Sequence, residues 1–351
     1  MNPDEINHEA LERVIYAVDM LLIEATKEQD INKVKILLDK GDSNINFQDK
    51  LKATALFYAS KKGCADIAKL LIDGGAKLDM VNIDEETPLH SASYYGHIEV
   101  VKQLIGAKAN VNLMAKDGAV PILVASQNDH FGVVEQLIKA NANVNLPRND
   151  GVTALHIASY YGKSEVVEKL IKARVDVNIR IEKDGTTPLH LACQECHFGV
   201  VGQLIKAEVD INQTKKDGTT ALFIACQEGH SGIVGQLIKA RANLDVSTRR
   251  GLTPIFIACQ KDHIECVKAL FKAGASVKCL TESGNFFGKK MNSKLKGVSE
   301  EMKELIKTII KKENIKERDE ALVATTQLSP SPRSPRAGAL VAQQTQGAQG
   351  R

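Results

Sequence analysis

The chain has 351 residues, a formal net charge of +3 and 43% apolar side chains, so it can bury a substantial core and is too weakly basic to argue for nucleic acid. Aromatics make up only 4% and Trp is absent, which leaves small aliphatic side chains and Ala to build that core. No apolar run approaches the roughly 18 residues that a membrane span needs, and the charged opening MNPDEINHEALERV lacks the apolar stretch of a cleaved signal, which leaves open export by a route that needs none.

Ile6, Leu11, Val14, Ile15 and Val18 recur at spacings near three and four. They predict a helix over residues 1–20 that covers the open end of the first repeat unit. From there the chain repeats. The phrase TPLHLA at Thr187–Ala192 has counterparts anchored at Thr54, Thr87, Val120, Thr153, Thr187, Thr220 and Thr253, at intervals of 33, 33, 33, 34, 33 and 33 residues. A fixed period of this length means stacked supersecondary units. Residues 21–50 align with later units but lack the phrase, as an end unit with one wet face does.

Within a unit, Thr187 is a helix N-cap and Pro188 the first helical residue, with a short helix running to about Glu195. His197 marks a turn. Val200, Val201, Leu204 and Ile205 form an apolar stripe on a second helix, and Lys216-Asp217-Gly218 reads as a tight turn. Equivalent stripes are Val100, Val101, Leu104, Ile105; Val133, Val134, Leu137, Ile138; and Val166, Val167, Leu170, Ile171. ASYYG at Ala92–Gly96 and Ala158–Gly162, and HFGVV at His130–Val134 and His197–Val201, indicate that a two-unit block was copied.

Period, phrase and stripe together identify the chain as a member of the ankyrin repeat family over about residues 20–280. The resemblance implies an all-α repeat solenoid of helix–turn–helix units, each with a β-hairpin finger, stacked into a curved array whose first helices line a concave groove. The expected division is an N-terminal helix (1–20), a repeat domain (21–280), a polar linker and C-terminal capping helix (281–317) and a disordered tail (318–351). The extra residue between Asn178 and Thr187 lengthens one finger. It reads either as a bland loop insertion or as a locally altered contact surface.

Past Val277 the pattern fades into a polar stretch with Lys289, Lys290, Lys294 and Lys296, an exposed linker or a nuclear-import signal. Ser299-Glu300-Glu301 opens a helix whose Met302, Leu305, Ile306, Ile309 and Ile310 share one face. That face either covers the last repeat or binds a partner. Beyond Arg318 the composition is rich in Ser, Pro, Gln and Gly, too polar to offset ordering entropy. Ser329-Pro330, Ser331-Pro332 and Ser334-Pro335 there match proline-directed phosphorylation.

Cys193-Gln194-Glu195-Cys196-His197 spells the haem-attachment motif, yet each letter is explained by the repeat. Cys193 holds the slot of Ser93, Ser126, Ser159, Cys226 and Cys259, and Cys196 the slot of Gly96, Gly162 and Gly229. A layer spacing of about 8–10 Å is too wide for Cys193, Cys226 and Cys259 to pair as disulfides or share a zinc. The pairs Cys226–His230 and Cys259–His263 resemble nucleophile and base, but earlier repeats carry Ser before the same His. The resemblance gives His90, His156 and His190 a structural role, and Phe57, Leu123, Phe223 and Phe256 replace them elsewhere. No catalytic, cofactor or metal site is expected, and an odd total of seven Cys favours a reducing compartment. The cytoplasm is the expected location, with the nucleus or delivery into a host cell as alternatives.

The resemblance places exposed groove residues just after the small slot of each first helix. These are Lys61 and Lys62, Tyr94 and Tyr95, Gln127 and Asn128, Tyr160 and Tyr161, Gln194 and Glu195, Gln227 and Glu228, and Gln260 and Lys261. The two tyrosine pairs lie two layers, roughly 20 Å, apart, and read either as anchors for one extended partner or as backbone cover in a copied block. Finger tips carry Lys116, Arg148, Lys183, Lys215, Lys216, Arg249 and Arg250 on five successive layers, diluted by the turn-forming Asp117, Asp150, Asp184 and Asp217. The ridge suits an acidic protein segment or is simply a solvated face; without interleaved aromatics it argues against nucleic acid. The expected function is non-enzymatic protein binding by a monomer. The second reading is an adaptor whose repeats select a client while the C-terminal helix or Ser-Pro tail recruits machinery or is phosphorylated.

Overall fold

A computed structural model describes residues 16–41, 43–280 and 297–327 of the chain. Its architecture follows from how each unit starts. At helix α5 (Pro88–Tyr95) the Thr87 hydroxyl accepts the His90 N–H, and the His90 ring accepts the Thr87 N–H on Nδ1 at 3.1 Å. Pro88 fills the first helical position, where a missing N–H leaves no gap. Thr187 and His190 repeat this box at α11 (Pro188–Gln194). Thr153 and His156 form it at α9 (Ala154–Tyr160). Where Phe replaces His, Thr54 and Thr220 still cap α3 (Ala55–Lys62) and α13 (Ala221–Glu228). At α7 (Pro121–Gln127) and α15 (Pro254–Gln260) proline sets the start, with no capping side-chain bond.

Each first helix is followed by a second: α4 (Ala65–Asp73), α6 (Ile98–Gly106), α8 (Phe131–Lys139), α10 (Ser164–Lys172), α12 (Phe198–Lys206), α14 (Ser231–Lys239) and α16 (Ile264–Lys272). A helix this short is marginal alone. Each is held because Val100, Val101 and Leu104, and their counterparts in the other repeats, are fully buried against neighbouring layers, at roughly 1.5–3 kcal/mol per side chain. Successive first helices pack on one another and so do successive second helices, giving the predicted all-α solenoid. The first pair is α1 (residues 16–27) and α2 (Ile31–Lys40). Helix α1 runs through the boundary expected at residue 20, since Leu22, Ile23 and Ala25 continue its buried face; Ile6, Leu11, Val14 and Ile15 lie outside the described residues.

Three hydrogen-bond ladders join the layers. The first runs along the turns after the second helices. Asn46 Oδ1 accepts the Lys77 N–H at 2.7 Å, and Asp79, Asn112, Asn145, Asn178, Asn212 and Asp245 do the same for the next layer in turn. The second ties helix ends. His97, His130, His197, His230 and His263 each place Nε2 2.7–3.2 Å from a carbonyl one layer back. This brings the His130 ring so close to Gly96 that a Cβ there would stand 2.5 Å from it. The glycine also sits at φ +76, a conformation that favours glycine. The slot tolerates exceptions: Cys196 holds it at φ +60 with His230 still in the ladder, whereas at the two aspartates the partner changes, Asp129 pairing with Lys163 at 3.5 Å and Asp262 accepting from Ser299.

The third ladder joins the fingers. Their predicted β-hairpins are turns rather than paired strands, with one antiparallel bridge, Thr214–Thr220, among the described residues. Each finger is too short for a strand pair. Lys215 N–H reaches Thr219 O, Asp217 Oδ1 accepts the Thr219 N–H, and the outer backbone bonds the next finger instead. Ile83 N–H donates to Leu51 O, Lys116 to Asp84, Asn149 to Asp117, Lys216 to Asp184 and Arg249 to Asp217, all within 3.0 Å.

Helix α17 (Glu300–Gln327) closes the array. Val298, Met302, Ile306 and Ile309 are buried in the continuous core, and Ser299 takes the place that a histidine of a further repeat would hold, its hydroxyl donating to Asp262 at 2.8 Å. The helix continues past its expected end at residue 317 and through 318–327, where the sequence predicts disordered tail. Helix formers such as Arg318, Glu320, Ala321, Leu322 and Ala324 propagate a helix once nucleated, and the next proline along the chain is Pro330. The lysine-rich linker and the Ser-Pro sites lie outside the described residues.

The buried histidines make the array sensitive to acid. Burial is the main cause that holds His156 and His190 down to about 4 and lowers His90. In addition, Nδ1 of each ring already accepts the threonine N–H. The unfolded chain protonates His156 and His190 near pH 6.5 and the folded chain does so only near 4, so stability is lost as pH falls across that window, by about 1.4 kcal/mol per unit for each of these two, and His90 acts in the same direction. The urea midpoint of the helical signal is expected to fall between pH 6.5 and 5, with a shallower slope in His156→Phe, which takes the residue found at Phe223.

Candidate binding surface

The groove pairs all sit at the C-terminal ends of first helices. Tyr94 and Tyr95 end α5, Tyr160 ends α9 with Tyr161 as its C-cap, and Lys61 and Lys62 end α3. Gln127 and Asn128, Gln194 and Glu195, Gln227 and Glu228, and Gln260 and Lys261 occupy the same place on α7, α11, α13 and α15. These ends are held from behind. The carbonyls of Lys61, Tyr94, Tyr160, Gln194 and Gln227 are the acceptors of the turn-histidine ladder. The backbone beneath the surface is therefore braced while the side chains remain outside.

The pairs differ in what they offer. Asn128 turns its amide onto the Val124 carbonyl of its own helix at 2.9 Å, and Gln127 and Asn128 are half-buried. Gln194 and Gln227 each donate to the glutamate beside them at 2.9 Å. The tyrosines engage mostly each other. Tyr94 and Tyr95 meet edge to face with ring centroids 4.9 Å apart, Tyr160 and Tyr161 at 5.0 Å, and Tyr95 stacks on His97. All four are 39–49% exposed, an arrangement that presents rigid apolar rings to solvent at low entropic cost.

Sequence reasoning missed two neighbours. Phe131 and Phe198, at the starts of α8 and α12, are 47% and 55% exposed. The copied HFGVV was the available signal, since phenylalanine stands there outside the buried Val-Val stripe. Together with the tyrosines they alternate along the array: paired rings, a single ring, paired rings, a single ring.

The finger tips are less uniformly basic than their sequence. Arg148 grips Asp150 with two bonds, at 3.1 and 2.6 Å, and this pairing is the main cause that keeps Asp150 ionised well below the ordinary range. Lys215 pairs with Asp184 at 3.1 Å. Although desolvation opposes it, Asp184 is held down to about 2 by Thr186 and Lys215. Lys116, Lys183, Lys216, Arg249 and Arg250 stay exposed. Asp117, Asp150, Asp184 and Asp217 each accept the N–H two residues on, as turn formers do.

The cysteine ladder is core. Cys193, Cys226 and Cys259 are fully buried, with burial pushing the Cys259 thiol up to about 12 and those of Cys193 and Cys226 well above the ordinary thiol range. Cys196 is exposed, so the two sulfurs of the haem-like motif face opposite environments, and His197 is engaged with the Tyr160 carbonyl. All seven cysteines are free. No group of three His, Cys, Asp or Glu among the described residues is placed to hold a metal ion, and none of their helices is long and apolar enough to cross a membrane.

Comparison with known proteins agrees with this geometry. A family model for ankyrin repeats matches residues 22–117, 122–215 and 196–280, most of the chain. An ankyrin repeat protein of Acanthamoeba polyphaga mimivirus is 46% identical over 55 residues, 16% of this chain and 33% of that one. The match thus spans about a third of that curated relative. Among solved structures, the ankyrin repeat domain of Bcl-3, a member of the IkappaB family, superposes with a TM-score of 0.58 at 24% identity, covering 62% of this chain and 98% of that one.

Thiol labelling of the native chain is expected to modify Cys196 within minutes. Cys193, Cys226, Cys259 and Cys266 should react only once denaturant is added, as peptide mapping of the alkylated protein would record.

Proposed function

The chain belongs to the ankyrin repeat family, whose members are generally non-enzymatic protein-interaction modules, and from that premise we propose that it binds a protein partner along the first-helix ends and the finger tips. The observation that carries this reading is the pair of tyrosine clusters. Four rings of a chain with only six tyrosines stand exposed on braced helix ends, in two near-identical edge-to-face pairs. Rings that cover no core and cost little entropy to hold still are suited to the centre of an interface. Phe131 and Phe198 extend the apolar contact, and the exposed basic tips favour a partner with an acidic stretch.

Recruitment of a second protein through the apolar face of α17 is not part of this proposal, because that face is occupied by the last repeat. Seven free thiols support work in a reducing compartment, which we take to be the cytoplasm.

Changing Tyr94, Tyr95, Tyr160 and Tyr161 together to Ala tests the anchors. Capture of the wild-type partner set by the immobilised chain should drop by about tenfold or more, while helical content and melting temperature stay near wild type because the rings lie outside the core. Full capture by a folded variant would remove the tyrosines from the interface.

A further inference from the structure

The fingers are not equally charged at their tips. In four of them an aspartate, Asp117, Asp150, Asp184 or Asp217, accepts the N–H two residues on and holds the turn. Those carboxylates also offset nearby cations: Asp150 grips Arg148, and Asp184 takes Lys215 from the next finger. The last finger, residues 248–252, breaks the pattern. Arg250 stands in the aspartate slot, beside Arg249, and the finger has no carboxylate at all. Its turn survives because the first residue takes over. The Thr248 hydroxyl accepts the Leu252 N–H at 3.2 Å, as the Asn82 amide oxygen does for the Glu86 N–H in an earlier finger.

The fold thus gives the two arginine side chains nothing to hold. Both are exposed, and neither makes an ion pair or a side-chain hydrogen bond among the described residues. Lys216, on the finger before, is equally exposed and unpaired among them. The two fingers touch. The Arg249 N–H bonds the Asp217 carbonyl at 2.8 Å, and a Cβ on Gly218 would stand 3.0 Å from the Arg249 nitrogen. Lys216, Arg249 and Arg250 therefore share two adjoining tips with one carboxylate, Asp217. Every other adjoining pair of tips carries at least as many acids as bases, so the cationic excess is confined to this end of the ridge.

We propose that the tips of the last two fingers bind a short acidic segment of a protein partner. Charge complementarity selects the occupant: three free cations attract carboxylates, and the arginine forks can take them in bidentate pairs. The two fingers lie one layer, about 8–10 Å, apart, a distance that an extended chain covers in about three residues. Two or three acids close together in sequence can therefore reach all three cations. A long polyanion such as a nucleic acid suits the surface less, because along the same ridge it would meet exposed Asp84, Glu85 and Glu182, and neither basic tip carries an aromatic ring for a base to stack on. The proposal rests on the reading of the array as a protein-binding module, and adds which tips take the acidic stretch and why the others do not.

Panning of displayed random peptides on the immobilised full chain, followed by titration of the recovered peptides, tests it. The peptides should be enriched in Asp and Glu. They should bind at least about tenfold more weakly to an Arg249→Asn, Arg250→Asp variant, which writes into the last finger the Asn-Asp-Gly of Asn149–Gly151. Helicity and melting temperature should not fall, since the new aspartate can hold the turn as Asp150 does. Lys116→Ala, at a tip whose charges balance, should leave their affinity unchanged. Recovery of no acidic peptides, equal binding by wild type and the arginine variant, or the same loss with Lys116→Ala overturns the site. So does tighter retention of a single-stranded DNA oligonucleotide than of the acidic peptides. Peptides indifferent to the arginines but lost on the four-tyrosine variant would overturn this site and leave the broader reading standing.

Discussion

No single layer of this molecule can satisfy itself. A second helix of nine residues carries three side chains that must leave water, and the first helix of its own layer covers them only together with the equivalent helices above and below. Burial of the stripe is therefore a property of pairs of layers, and so is the pairing of backbone polar groups. The asparagine, histidine and finger ladders all take a donor from one layer and an acceptor from the next. The fold is periodic because each of these bonds must be made again at every step.

Periodicity also explains how the array ends. A last repeat would expose its stripe and leave Asp262 unpaired; α17 supplies both an apolar face and a serine hydroxyl in the position of the absent histidine. Substitutions inside the array obey the same logic. Asp129 stands where other layers carry glycine, and the next layer offers Lys163 in place of histidine. These pairings are local solutions to one geometric constraint, the contact between one turn and the next.

The repeat itself was fully legible in the sequence. Phrase, stripe and spacing located the first and second helices to within a residue or two, and repeat register correctly assigned Cys193 and Cys196 to unlike slots. What stayed hidden was whatever depends on two layers at once. The finger backbone bonds leave no trace in residue identity, since almost every position offers an N–H and a C=O. For the same reason the basic tips read as a continuous ridge, although Arg148 and Lys215 are engaged by carboxylates. The inserted residue was visible as a 34 among 33s; the absence of a backbone bond between its finger and the one before it, among the described residues, was not. Helix α17 outran its predicted end because helix propensity persists after the apolar face has stopped.

For the proposed binding of a partner by the tyrosine pairs, the copied two-repeat block has a consequence that no single layer reveals. Tyr94–Tyr95 and Tyr160–Tyr161 are near-identical seats, braced by the same kind of bond. A ligand with one matching anchor could occupy either, a twofold degeneracy that stabilises the complex by only about 0.4 kcal/mol and leaves its position along the array undefined. A ligand with two anchors at the spacing of two layers has a single register, and its second contact forms at the high effective concentration set by the first. On that proposal, duplication of the layer converts affinity for a side chain into a measurement of length.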